Sequence, residues 1–169
     1  MKKITILISL VALFAISSLT VNAQVSAIAE TSANIVGPIS IIKNTNMSFG
    51  NVAVHPVNPG TVVLDPTSLR SKTGGVTLPV ITGTVSAAKF TVTGAAGTTY
   101  SITLPAAVLL TNGGNSMNVN AFTSTPTPTG SLATGSEEIF VGATLNVAGG
   151  QASGLYTNTS DLVVTVNYN

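Results

Sequence analysis

From Leu162 to Asn169 the chain alternates without a break. Leu162, Val164, Val166 and Tyr168 share one parity, and Val163, Thr165, Asn167 and Asn169 share the other. Side chains on a strand point to opposite faces with a period of two, so this stretch predicts a strand with one apolar and one mostly polar face. The same pattern returns at Ile139, Val141, Ala143, Leu145 and Val147, set against Phe140, Gly142, Thr144 and Asn146. It returns in shorter form at Tyr100–Leu104, Phe90–Thr93 and Met117–Ala121. No stretch after Ala23 keeps a helical period over three turns. Short strands broken by Gly, Pro and Asn about every ten residues predict an all-β fold. An antiparallel β-sandwich of about eight to ten strands is expected rather than a barrel, because the alternation is two-faced and the loops are uneven.

The first 23 residues read differently. Met1-Lys2-Lys3 is basic, Ile4 to Val21 is apolar apart from Ser and Thr, and Val21-Asn22-Ala23 is a small-x-small cleavage site before Gln24. This is the pattern of an export signal. No basic stop-transfer cluster follows it, so no stable membrane insertion is expected after cleavage. The chain contains no cysteine, which rules out a lipid-anchored cysteine and any disulfide. The expected location is outside the bacterial cytoplasm: periplasm, outer surface or medium.

The formal net charge of +1 includes two lysines of the signal, and without them four bases face five acids. Four dispersed cations cannot neutralise a run of phosphates, so no nucleic-acid partner is expected. The surface must draw its polarity from Thr, Ser and Asn, since charged residues make up only 7% of the chain against the usual quarter.

Gln24 to Val36 reads as an extended N-terminal arm or a first strand, with Val25, Ala27, Ala29, Ala33 and Ile35 on one parity. Gly37-Pro38 breaks it. Ile39–Lys43 and Met47–Val52 follow as strands, the latter with Gly50 at a bulge or a close backbone approach. Asp65–Gly75 reads as a long polar connection. Val76, Leu78 and Val80 read as an edge strand carrying Pro79, and Thr123–Gly135 as a low-complexity loop.

The chain offers little to chemistry. His55 is the only histidine, and no nucleophile-elbow pattern accompanies it; a solvated loop residue is expected. Glu137 and Glu138 are adjacent and would face opposite ways on a strand, which is unsuited to a two-carboxylate hydrolytic site. Asp161 with Asn158 and Thr159 could offer oxygens to calcium, but an Asx-type turn fits a single carboxylate better. No catalytic, cofactor-binding or metal-binding residue is assigned. Phe122, Phe140 and Tyr100 are expected to pack in the core. Tyr156, just ahead of the closing strand, is read as a tyrosine corner whose hydroxyl bonds back to the backbone, against a plain packed aromatic.

Several short motifs in order resemble an uncharacterised secreted bacterial family, the domain of unknown function 4402. They are Met47-Ser48-Phe49-Gly50, Phe90-Thr91-Val92-Thr93-Gly94, Tyr100 to Pro105, Val141 to Leu145, Gly154-Leu155-Tyr156 and Val164 to Tyr168. That family is similar to spore coat protein U and fimbrial-subunit domains. The resemblance implies an immunoglobulin-like, pilin-like sandwich and assembly by strand donation, in which a neighbour's arm completes an open sheet. It implies Leu162, Val164, Val166 and Tyr168 as the assembly strand met by a periplasmic chaperone or usher, and Gln24–Val36 as the donor arm. The expected function is a non-enzymatic fimbrial or adhesive surface subunit. The alternative is a self-contained module binding a glycan or surface polymer through Thr123–Gly135.

Overall fold

The computed structural model describes residues 24–169, so the export signal expected over residues 1–23 lies outside the described residues. The chain divides into a segment ending at Ile35 and a domain from Val36 to Asn169. Gln24–Ile35 carries no helix or strand and every residue in it is exposed. The alternative of a first strand there is not realised: the first strand, β1, starts at Ser40.

The domain is all-β, with no helix among the described residues. Ten strands have four residues or more: β1 (Ser40–Thr45), β4 (Gly60–Leu64), β5 (Arg70–Gly74), β8 (Ala88–Thr93), β9 (Thr98–Thr103), β10 (Ala107–Asn112), β11 (Asn115–Thr125), β12 (Thr129–Leu132), β13 (Ser136–Val147) and β14 (Thr165–Tyr168). Four have two residues: β2 (Ser48–Phe49), β3 (Ala53–Val54), β6 (Val76–Thr77) and β7 (Val85–Ser86). All the ladders between them are antiparallel.

The long strand β13 organises the larger sheet. One edge runs along β11, which continues to β10. The other edge is shared: Ser136–Val141 pair with β8 and β1 beyond it, and Ala143–Val147 pair with β4 and β5 beyond it. The exchange falls at Gly142, where a Cβ would run into the Leu64 carbonyl and the Asp65 backbone. A glycine is what lets two different strands meet one edge there. The alternation seen in the sequence is the burial pattern, since Ile139, Val141, Ala143, Leu145 and Val147 are all no more than 3% exposed.

A smaller sheet, β12-β9-β14, covers one end of that inner face and makes the structure a sandwich. Under it lie Phe90, Val92, Tyr100, Leu132, Ile139, Val141, Val164 and Val166. The other end of the inner face holds Val62, Leu64, Val76, Val108, Val119, Leu145 and Val147. There the covering layer is only the two-residue ladders β2–β7 and β3–β6 and the strand-free chain before β14. Met47, Phe122 and Leu162 pack against both clusters and mark the seam.

Three expectations are corrected. Asp65–Gly75 is not a long connection: it is a tight turn followed by β5. The Asp65 carboxylate accepts the N–H groups of Thr67 at 2.8 Å and Leu69 at 2.9 Å and so closes the turn. Thr123–Gly135 is not a loop either. Its start extends β11 against β13 and its centre is β12 against β9, with Leu132 fully buried. Val76–Val80 does not continue as a strand; β6 stops at Thr77, and Val80 beyond Pro79 is 100% exposed.

Candidate strand-docking cleft

The thinly covered end of the inner face opens as a cleft of about 860 Å³. Its floor is the larger sheet, through Val108 and Leu110 of β10, Val119 of β11, and Leu145 and Val147 of β13. Alternation fixes this floor: each of these residues shares the inward parity of its strand, while the outward parity carries Asn118, Asn120, Thr144 and Asn146.

One wall is Met47–Val54. It does not form one regular strand, because Gly50 sits at φ +65° with the Thr82 carbonyl against it. Arg70 holds this wall from below: its Nη1 donates to the carbonyl of Phe49 and, at 3.0 Å, to that of Asn51. Arg70 lies opposite Leu64 in the ladder and therefore on the inward side of β5.

The other wall is Gln151–Leu162. This stretch makes one bridge to the sheet, Thr111 with Thr157, their N–H and C=O groups paired both ways at 3.0 Å. Side chains do the rest. Asn158 Nδ2 donates to the Leu109 carbonyl at 2.9 Å, and Gln151 Nε2 to the Ser116 carbonyl at 3.3 Å. Tyr156 supports the wall from within. Its hydroxyl donates to the Ala152 carbonyl at 2.8 Å and accepts from Gln151 at 2.8 Å. That bond returns to the backbone four residues upstream.

The Chemistry-bearing residues noted in the sequence are spread apart. Asn158 Oδ1 accepts the N–H groups of Ser160 and Asp161, an Asx turn leading into the last strand. Hydrogen bonds from Ser160 and Asn158 hold the Asp161 carboxyl below the usual range. No group of three metal-ligating side chains occurs among the described residues. His55 is exposed, and its Nδ1 accepts the N–H groups of Val57 and Asn58 at 3.1 and 3.0 Å. Glu137 turns inward to Tyr100, while Glu138 turns outward to Lys89 at 2.6 Å. Phe122 lies at the seam and Tyr100 is fully buried; Phe140 lies on the outward face beneath the Lys89 ammonium, 5.5 Å from its ring centre.

Of the expected assembly strand, Leu162 lines the cleft, and Val164 and Val166 are buried in the core, each 8% exposed. Tyr168 accepts the Ala95 N–H at 2.7 Å and donates to the Gly37 carbonyl at 3.0 Å. β14 pairs with β9 along one edge, and no strand among the described residues pairs with its other edge. Of the expected donor arm, Val25 is 92% exposed and Ile35 94%, with Ala27, Ala29 and Ala33 exposed between them.

Residues 39–168 match the family model described as Domain of unknown function (DUF4402). The chain belongs to the DUF4402 family. Both core clusters and both walls of the cleft fall inside the DUF4402 match, and Gln24–Val36 falls before it. Neither a curated protein nor a solved structure matches the chain. Sequence reasoning did not find the cleft, because alternation reports which side of a strand is apolar and not whether a second layer covers it.

Proposed function

We propose that this DUF4402 protein is a secreted, non-enzymatic surface subunit, fimbrial or adhesive in kind, that joins its neighbours by edge-strand pairing. One observation carries the reading: above the buried floor of Val108, Val119, Leu145 and Val147 the covering layer has only two-residue ladders and strand-free chain, and it leaves Leu110, Met117 and Leu162 of the cleft lining partly exposed. An extended segment laid in the cleft would cover the partly exposed Leu110, Met117 and Leu162 and could add backbone hydrogen bonds to those of the cleft walls. Burying apolar side chains stabilises such a complex, at about 1.5–3 kcal/mol for each large one fully covered.

Gln24–Val36 of a neighbouring copy has the form of the occupant. It is exposed, makes no ladder, and carries apolar residues at every second position from Val25 to Ile35 except Thr31. An export signal before Gln24 is consistent with work outside the cytoplasm, where a periplasmic chaperone or usher would occupy the cleft before assembly. The glycan-binding alternative draws less support. Its loop is taken up by β11 and β12, and no aromatic ring is among the exposed large apolar residues that would form a sugar platform.

The test is to compare chains 24–169 and 37–169 on a sizing column with light scattering. The reading expects oligomers of the first, a folded monomer of the second, and closely similar melting profiles for monomeric domains. Equal sizes for the two chains would count against it.

A further inference from the structure

We infer that the free edge of β1 fits the same edge of a second copy in backbone register, and that Lys43 is the residue that keeps the two copies apart. The inference is independent of the docked arm. Unpaired strand edges are templates for association, and natural sheets blunt them by shortening, by covering or by a charge turned inward. Each outer strand of this domain carries one of these devices. β14 presents only four residues. On β10 the outer edge is taken up by the Thr157 bridge and the Asn158 side chain. On β12 the Ser131 N–H is taken by the Glu137 carboxylate. β5 carries Lys72 opposite the buried Val62, on the inward parity. β1 is six residues long, exposed at every position but Ile41, and pairs along one edge only. Its device is Lys43, opposite Phe90 on the inward parity. Three of the four bases among the described residues, Lys43, Arg70 and Lys72, lie on β1 and β5, so the few charges are concentrated at the edges that nothing covers.

The ladders fix the register. The Gly94 N–H donates to the Gly135 carbonyl at 3.0 Å, so Gly94, Val92 and Phe90 turn their backbone groups to β13. Thr93 and Thr91 turn theirs to Ser40 and Ile42 of β1. Ile41 and Lys43 are left with N–H and C=O groups at the free edge. Two antiparallel copies satisfy those groups when Ile41 of each lies opposite Lys43 of the other. The two Ile42 side chains then face each other on the outward side, where each is 62% exposed in the single copy. The same register sets both Lys43 side chains in the inner layer, each beside Ile41 of the other copy and about 7–8 Å apart. Two like charges so placed, and partly stripped of water, cost more than one pair of Ile42 side chains returns. Without the ammonium groups the balance reverses.

The test uses the full mature chain, residues 24–169, and follows self-association by sedimentation against concentration. Lys43→Val is expected to tighten association at least about tenfold, although it takes a chain of four bases and five acids further from neutrality. Lys43→Arg and Lys43→Glu keep an inward charge and are expected to match the wild type. Association through the arm is common to all these chains, so the comparison stands apart from the strand-pairing reading. A single cysteine locates the contact, since the chain has none of its own. Under mild oxidation, Ile42→Cys combined with Lys43→Val is expected to give a disulfide-linked dimer in greater yield than Ile42→Cys alone, and than Val80→Cys combined with Lys43→Val. Unchanged melting midpoints keep a folding defect separate, and Lys43→Thr serves if Lys43→Val fails to fold. Association of Lys43→Val no tighter than wild type overturns the inference. So does linkage through Ile42→Cys that is the same with and without Lys43, or no greater than through Val80→Cys.

Discussion

Tyr100 and Glu137 show how one inward-facing carboxylate can be kept inside a sandwich. Tyr100 is fully buried and its hydroxyl donates to Glu137 Oε2 at 2.7 Å; the same oxygen accepts the Ser131 N–H at 2.6 Å. Gly130 lies against the ring and leaves no room for a Cβ. Burial, then the hydrogen bond and the charge of Glu137, push the Tyr100 phenol well above its ordinary value. The folded state therefore favours the neutral phenol. Its contribution is complete below the unfolded value near 10 and is lost as pH rises above it. Urea melts at pH 7 and pH 10.5 should show the wild type losing stability with the rise, and Tyr100→Phe losing less. At pH 7 the variant should be weaker by about 1–2 kcal/mol, because Glu137 keeps one partner fewer. Gly130→Ala should cost more, about 2–3 kcal/mol, since backbone or ring must shift to admit a methyl. The sequence marked Tyr100 as core, but nothing local in it paired Tyr100 with Glu137, which lies 37 positions away.

At the scale of the element, β13 and the alternation leading into β14 were legible because each carries its burial pattern in its own residues. β5 and β12 were not. Their residues are short, polar or glycine-rich, and they become strands because β4 and β9 present an edge to them. Pairing with a distant partner overrides weak local preference. The reverse error occurred at Val80, where local alternation had no partner strand to meet. Met47–Val52 was read as a strand with a bulge at Gly50; the stretch breaks at that glycine, β2 before it and β3 starting only at Ala53, and Arg70 fastens the break. Arg70→Ala should lower stability by about 1–2 kcal/mol through the loss of charge-assisted bonds to carbonyls. It should also speed amide exchange in Ser48–Val54 more than in β13, and equal protection in the two strands would contradict that role.

For the whole molecule, the fold class was readable from periodicity, composition and turn residues, and the cleft was not. Whether a second layer covers a floor depends on the spatial order of strands far apart in sequence, such as β10, β11 and β13 below and β2, β3 and β14 above. The central claim is that this thinly covered cleft takes an extended segment like Gln24–Val36. The direct measurement is a methyl NMR titration of the 37–169 chain with a peptide of residues 24–36. The account predicts saturable shifts at Val108, Leu110, Val119, Val147 and Leu162, with Leu132 and Ile139 unmoved under the smaller sheet. No shifts, or shifts confined to outward-facing Val63 and Leu109, would contradict it.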